Sequence, residues 1–418
     1  MSLRNLDKWR CAVELLASRV KGKGFTWIAS KIAKKTFTTL AWFVLIPISA
    51  LGHFLGFRRV AFFTDRIGHL TAEFDCFEKE RRLGRLPSRR YWFVLAPKDK
   101  VANSHLLNYW KPYFHVISHP LACSFLRILT LRGFMVHDVS DYILSFGKNA
   151  RYYEVNVAWG TRPPLLSLTD ADHKCERALL MELGLPADAW YVCFHNREGG
   201  FSPQDEAIHS HRNADADSLI GAMQFVVSRG GWCIRMGDPT MKPLPPIPGV
   251  VDYAHHVMRS EQADVLLCAG CRYFVGNTSG LWILASIFGV PCALANMIPV
   301  STLGYSPIDI SIPKLLSQPP DNHPISFPSI FSQPLADFRL SSQYRLTGIV
   351  PLDNSSEEIC ELVQEMHGVI AKTWHYDLID EELQAKFRKL WRPGHYGYGA
   401  GGRTGALFLR RHQKLLEG

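Results

Sequence analysis

The chain has 418 residues, 47% of them hydrophobic and 20% charged, with a formal net charge of +9. The length exceeds one ordinary core and predicts two domains, and the composition is that of a folded protein. The excess charge collects in residues 1–35, at Arg58-Arg59, from Lys79 to Arg90 and from Arg403 to Lys414; without a basic helix, zinc finger or RNA-binding signature, this argues against nucleic acid and for an anionic membrane surface. The ten cysteines are scattered, and Cys193, Cys233 and Cys292 sit inside apolar runs, as reduced, buried thiols do in a reducing compartment. Cys268 and Cys271 form a CxxC with no second ligand pair at zinc spacing, and read as two small core residues.

In chain order, residues 8–35 set Trp9, Leu15, Leu16 and Val20 against Lys8, Arg10, Arg19 and Lys21, a basic amphipathic stretch. Thr36 to Phe57 then carries no formal charge over 22 residues, just enough to cross a bilayer. Lys31, Lys34 and Lys35 precede it and Arg58 and Arg59 follow it, so both flanks favour the cytosol, and Pro47, Gly52 and His53 weaken a simple span. We read 1–57 as a membrane-associated segment, monotopic with both ends cytosolic; its alternative is a buried helical hairpin.

Val60 to Phe63 reads as a strand that leads through Thr64 to Leu70 into a helix from about Thr71 to Arg82, capped by Thr71. Tyr91 to Ala96 and Phe114 to Ser118 are further strands, and Asn103 to Trp110 is a helix, so 58–168 is a first Rossmann-like domain. His69, at the strand-to-helix handover, is placed to take a proton from an acceptor hydroxyl or simply to close the turn. Asp65 is the second base or the group that orients His69, while Glu73 and Asp75 read as first-turn acids favoured by the helix dipole.

Trp190 to His195 is a strand ended by Asn196-Arg197-Glu198-Gly199-Gly200, Asp217 to Val227 a helix, Trp232 to Arg235 a strand, and Gly249 to His255 a weaker one. Tyr273 to Val275, the turn Gly276-Asn277-Thr278-Ser279-Gly280, an apolar helix from Leu281 to Phe288, Gly289 and the strand Val290 to Leu294 repeat this grammar. The second domain, 169–375, is therefore α/β with a parallel sheet. Arg197, Arg235 and the 276–280 turn fall at carboxyl ends of strands, where such sheets bind ligands, and together suit an anion with several phosphate oxygens. Pro313 to Pro334 reads as an extended surface connection, and the loop Gly394 to Gly405 either brings Tyr396, Tyr398 and Arg403 to substrate or is a bare linker. Asp215-Ala216-Asp217 spells DxD, but it opens a helix, so no essential metal and no cofactor is expected.

Arg66-Ile67-Gly68-His69-Leu70, His195-Asn196-Arg197-Glu198-Gly199, Arg212-Asn213-Ala214-Asp215, Ile234-Arg235-Met236-Gly237-Asp238, and Gly276 to Gly280 with Gly289-Val290-Pro291 occur in that order. The set resembles bacterial glycosyltransferases of capsule and lipopolysaccharide biosynthesis with the GT-B architecture, two Rossmann-like domains facing a cleft. His195-x-Arg197 is also similar to the HxRxGD motif of GT-B fucosyltransferases, whose arginine contacts the donor diphosphate, although Gly200 replaces the final Asp. The resemblance implies a nucleotide-diphosphate sugar on the second domain, held by His195, Arg197, Arg212, Asn213, Arg235, Gly237, Asp238, Asn277, Thr278, Ser279 and Gly280. It implies His69, Asp65 and Arg197 as catalytic residues, and an acceptor (a surface polysaccharide or lipid-linked glycan) on the first domain. It further implies that 376–418 crosses back to the first domain, and it points to the cytoplasmic face of the bacterial inner membrane. Rival readings on the same fold are a nucleotide-sugar epimerase, a polysaccharide pyruvyltransferase, and a non-catalytic scaffold of a polysaccharide assembly complex.

Overall fold

The computed structural model describes residues 30, 36, 45–87, 90–130, 134–142, 151–320 and 323–417. The expected amphipathic stretch 8–35, and the apolar segment as far as residue 44, lie outside the described residues apart from Ser30 and Thr36. Among the described residues no helix is long and apolar enough to cross a membrane.

The strands are β1 (Phe57–Val60), β2 (Tyr91–Leu95), β3 (His115–Ile117), β4 (Val136–His137), β5 (Tyr191–His195), β6 (Trp232–Arg235) and β7 (Val250–Val251). They continue with β8 (Phe274–Gly276), β9 (Cys292–Met297), β10 (Ile310–Pro313), β11 (Leu315–Ser317), β12 (Val350–Leu352) and β13 (Arg403–Thr404). One parallel sheet runs β3-β2-β1-β4, and a second runs β13-β10-β9-β8-β5-β6-β7, also parallel. Counted from its own first strand, each sheet has the doubly wound order 3-2-1-4, extended in the second by 5, 6 and 7. The winding reverses between β1 and β4 and between β5 and β8, and a ligand crevice opens at such a reversal. β11 and β12 form a small antiparallel ribbon.

The two halves share one apolar core. The helix Ile67–Arg82, which follows β1, packs against the helix Leu281–Ile287, which follows β8. They meet at their first turns: a Cβ on Gly280 would lie 2.8 Å from the Gly68 amide nitrogen. Only glycine allows that approach. Polar bonds add to the joint, with Arg66 Nη1 on Asp205 Oδ2 at 2.6 Å and Asn103 Nδ2 donating to the Glu261 carbonyl at 2.8 Å. The Tyr153 hydroxyl donates to the Leu303 carbonyl at 2.8 Å.

Several expectations need correction. The first strand begins at Phe57, so the boundary at 57/58 cuts through it. Two arginines hid the strand: Arg58 is buried and spends its guanidinium on the His53 and Phe57 carbonyls. The following helix starts at Ile67, not Thr71, and has no acid in its first turn. Thr71 is interior, its hydroxyl bonded back to the Ile67 and Gly68 carbonyls. The proline-rich 313–334 stretch is no surface linker, because it supplies β11 and a short helix whose Phe327, Ile330 and Phe331 are buried. In place of the expected crossing back, Arg403–Thr404 extends the second sheet beside β10. The helix Ala406–Arg411 packs on Ser356–Ala371 and Leu378–Arg388 of the same half.

Candidate active site

A cleft of about 640 Å³ lies between the halves, lined from one side by Asp65 to His69 and Glu73 and from the other by the carboxyl ends of β5, β6 and β8. On the first wall, His69 Nδ1 bonds Glu73 Oε1 one helical turn on. The carboxylate that holds the ring is therefore Glu73 and not Asp65, which is exposed on the cleft rim. The helix starts early enough to put positions 69 and 73 on one face, i to i+4. Glu73 is buried and also accepts from the Phe63 amide at 3.3 Å. Burial holds its carboxyl above the usual range, partly offset by the His69 bond. With Nδ1–H donating to Glu73, Nε2 is left as a proton acceptor. Asp75 is interior too, paired with Lys79 at 2.7 Å.

On the second wall, Arg197, Arg212, His195, His209, His211, Thr278, Ser279 and Gly280 line the cleft. Arg197 is held by Glu206 at 3.0 Å and by the Asn213 side chain, and its amide donates to Asn277 Oδ1 at 3.0 Å. Arg212 donates from Nε and Nη2 to the Thr278 carbonyl, at 2.9 and 2.7 Å. That bond clamps the 276–280 turn without neutralising the cation. Burial, then the charges of Arg197 and Arg66, pull Arg212 down to about 10. Burial and neighbouring arginines likewise pull His209 down to about 4 and His211 to about 3. Burial is the larger cause of all three shifts and the neighbouring arginines add to it; Arg66 and Arg197 are paired with Asp205 and Glu206, so Arg212 is the cation here that an anion would meet. His195 is also held near 4, mainly by burial, with Nδ1 bonded to the Met236 carbonyl at 3.1 Å. Ser279 is 7% exposed and lines the cleft, and its buried hydroxyl has no hydrogen-bond partner among the described residues.

Not every expected donor residue reaches the cleft. Arg235 is fully buried and does not line it. Its guanidinium bonds Glu198 at 2.8 Å, Asp252 at 3.1 Å and the Lys242 carbonyl at 3.1 Å. It is a structural cation, not a phosphate ligand. Asn277 is buried behind the turn, stapling the Arg197 amide to the Arg212 carbonyl. Asn213 acts through Arg197 and Glu206. The Thr278 hydroxyl accepts from the Ile298 amide at 3.0 Å. Gly237 and Asp238 line the cleft; a Cβ on Gly237 would lie 2.2 Å from Met241 Sδ, and Asp238 Oδ1 accepts from the Thr240 amide at 2.9 Å. Tyr396 lines the cleft against Arg339, whereas Arg403 stacks on Tyr376 at 3.8 Å and pairs with Glu381.

Sequence reasoning missed Arg66, Arg259 and Asp264 on the cleft wall. Arg259 Nε donates to the Gly237 carbonyl at 3.1 Å. Burial pushes the Asp264 carboxyl up to about 6, and it accepts from Tyr253 at 3.1 Å. Ser260, whose hydroxyl accepts from the Ala263 amide three residues on, was a readable cap for the helix Glu261–Gly270 that carries Asp264. Among the described residues, no group of three or more His, Cys, Asp or Glu side chains is placed to hold a metal ion. Asp215 of the DxD accepts from the Asp217 amide at 3.0 Å and opens a 3-10 turn.

No protein-family model matches the chain, and no curated protein matches it in sequence. Glycosyltransferases are among the solved structures it is similar to. The iron-containing dodecameric glycosyltransferase TibC of enterotoxigenic E. coli is 16% identical over 60% of this chain and 61% of that one, with a TM-score of 0.34. TibC in complex with ADP-D-beta-D-heptose gives 16% identity over 58% of each chain and a TM-score of 0.33. A family 9 glycosyl transferase of Veillonella parvula gives 15% over 52% of this chain and 60% of that one, with a TM-score of 0.26. The match thus spans about three fifths of each relative, and likeness at this level carries no argument about activity.

Proposed function

We propose that the protein is a glycosyltransferase of the GT-B type, which moves a sugar from a nucleotide-diphosphate donor on the second half to an acceptor hydroxyl presented by the first. The single observation that supports this most is the meeting of two turns across Gly68 and Gly280. One carries a carboxylate-held imidazole, His69 with Glu73. The other carries the unpartnered Ser279 hydroxyl beside Arg212 and Arg197. A proton acceptor facing an anion site across one cleft is what transfer from a phosphate leaving group requires.

In this reading His69 Nε2 takes the acceptor proton, and the oxygen attacks the anomeric carbon. The bond from that carbon to the phosphate oxygen breaks, and its electron pair leaves with the diphosphate. Glu73 steadies the imidazolium. Ser279, Arg212 and Arg197 meet the charge that grows on the leaving group, at about 2–4 kcal/mol for a well-placed donor. The helix Leu281–Ile287 has only seven residues, so these side chains matter more than its dipole. The DxD has no part in it: Asp217 pairs with Lys242 away from the cleft, and activity is expected to survive chelation. The acceptor class is a surface polysaccharide or lipid-linked glycan, made at the cytoplasmic face of a bacterial inner membrane.

The test is nucleotide release from a panel of nucleotide sugars with a lipid-linked glycan acceptor. His69→Ala is expected to lower turnover by about 10²–10⁴ while nucleotide affinity holds, and Glu73→Gln to lower it less. Wild-type turnover in His69→Ala would remove the base. Absence of any acceptor-dependent release would remove the transferase reading.

A further inference from the structure

The side of the first sheet turned away from the cleft is built differently from the rest. Along β2, Trp92 and Val94 enter the shared core, whereas Phe93 and Leu95 point the other way into a small separate cluster with Cys123 and Met135. The helix Pro120–Leu129 covers that face but buries only Cys123 of its ten residues. Residues 45–54, also helical, lie beside it. A Cβ on Gly52 would lie 2.6 Å from Met135 Sδ, the Ser49 hydroxyl donates to the Leu129 carbonyl, and His53 bonds the Phe134 carbonyl.

Both helices point apolar stripes outward. Leu121, Phe125 and Ile128 are spaced i, i+4, i+7, with Leu121 76% and Phe125 63% exposed. Ile48, Leu51 and Leu55 are spaced i, i+3, i+7, and with Phe54 at 84% they extend the patch. Phe57 and Tyr91, in ring contact at 5.1 Å and both exposed, continue it on the same sheet face. A water-facing layer does not arrange its large apolar side chains this way.

Charge says what covers the patch. No Asp or Glu occurs between Glu14 and Asp65, nor between Asp99 and Asp138, so both covering helices lie in stretches free of carboxylates. Among the cations in those stretches, Arg127 stands exposed on the Pro120–Leu129 helix itself and Lys100 is exposed past the end of β2. A neighbouring protein would ordinarily meet mixed charge, whereas an apolar patch on two helices that carry no carboxylate, one of them with an exposed arginine, complements anionic lipid headgroups over acyl chains. The patch also continues the uncharged run that begins at Thr36.

We propose that this face docks on an anionic lipid bilayer, with the Pro120–Leu129 helix as a second insertion element beside 45–55. The elements that carry it lie on the side of the sheet opposite the His69 helix, so the cleft is left open, and the inference stands apart from the sugar-transfer reading. The test is co-sedimentation of the full chain with vesicles of equal parts phosphatidylcholine and phosphatidylglycerol. Leu121→Glu with Phe125→Glu is expected to lower partitioning by at least about tenfold, since each side chain forfeits its transfer energy. Melting temperature and nucleotide affinity should hold. Met181→Glu, an exposed apolar position on the helix Asp170–Glu182, is expected to change nothing. Wild-type partitioning by the double variant overturns the proposal and leaves attachment to residues before 45. Equal binding to pure phosphatidylcholine overturns its electrostatic half. A double variant that turns a dimer into a monomer and still binds vesicles assigns the face to a second copy, and overturns it as well.

Discussion

Ser279 and Arg235 were expected to share one diphosphate, and the fold separates them. The Ser279 hydroxyl is buried on the cleft wall with no partner among the described residues, a state that usually costs stability and here leaves a donor for a ligand. Ser279→Ala should leave the melting temperature unchanged or slightly higher and weaken nucleoside diphosphate binding by about tenfold, read by calorimetry. A variant that melts lower and binds normally would make the hydroxyl structural. Arg235 behaves in the opposite way. It sits between Glu198 and Asp252 with its side chain 1% exposed, and removal leaves two acids facing each other. Arg235→Met should cost about 3 kcal/mol in denaturant unfolding. In sequence both looked alike, as polar residues at strand ends. What separates them is the direction of the side chain: Arg235 turns into the interior, to Glu198 after β5 and Asp252 after β7, which no one-dimensional spacing reports.

At the scale of elements, the second half was legible because its strands are apolar and its turns carry glycine. β5, β6 and β8 came out within a residue or two, and Gly289, with φ of +86°, follows the helix that it was expected to close. The first half was less so. β1 begins with Phe-Arg-Arg, and its buried arginine is paid for by backbone carbonyls that sequence does not show. Placing that strand three residues late moved the helix start from Ile67 to Thr71. It also cast Glu73 as a first-turn acid in place of the partner of His69. The joint between the helices after β1 and β8 was hidden as well, because two glycines in separate turns say nothing of each other. Gly280→Ala tests it. Its Cβ would press on the Gly68 backbone, which cannot give as a flexible side chain can. We expect a loss of about 1–3 kcal/mol in stability and a fall in turnover as the walls part. Unchanged melting and turnover would show that the contact positions nothing.

For the molecule as a whole, the alternation of strands and helices announced two α/β halves, and both sheets have the doubly wound order with the cleft at the carboxyl edges of β5, β6 and β8. The end of the chain was read less well. Its helices add to the second half, because Arg403–Thr404 finds an open edge at β10 and the helix Ala406–Arg411 finds the side of Ser356–Ala371. Arginine ion pairs to Glu357, Glu361, Asp377 and Asp380 then fix that docking. Edge availability and long-range charge pairing are properties of the assembled fold, which is why they were not visible beforehand.

The central claim is that the switch point of the second sheet holds a nucleoside diphosphate. Thermal unfolding with uridine, guanosine, adenosine, cytidine and thymidine diphosphates tests it most directly, in wild type and in Ser279→Ala. At a concentration 100 times the dissociation constant, binding adds about 2.7 kcal/mol to folding. The account predicts a clear rise in melting temperature with at least one of the five, and a smaller rise in Ser279→Ala at the same concentration. No rise with any of them, or an identical rise in the variant, would contradict it.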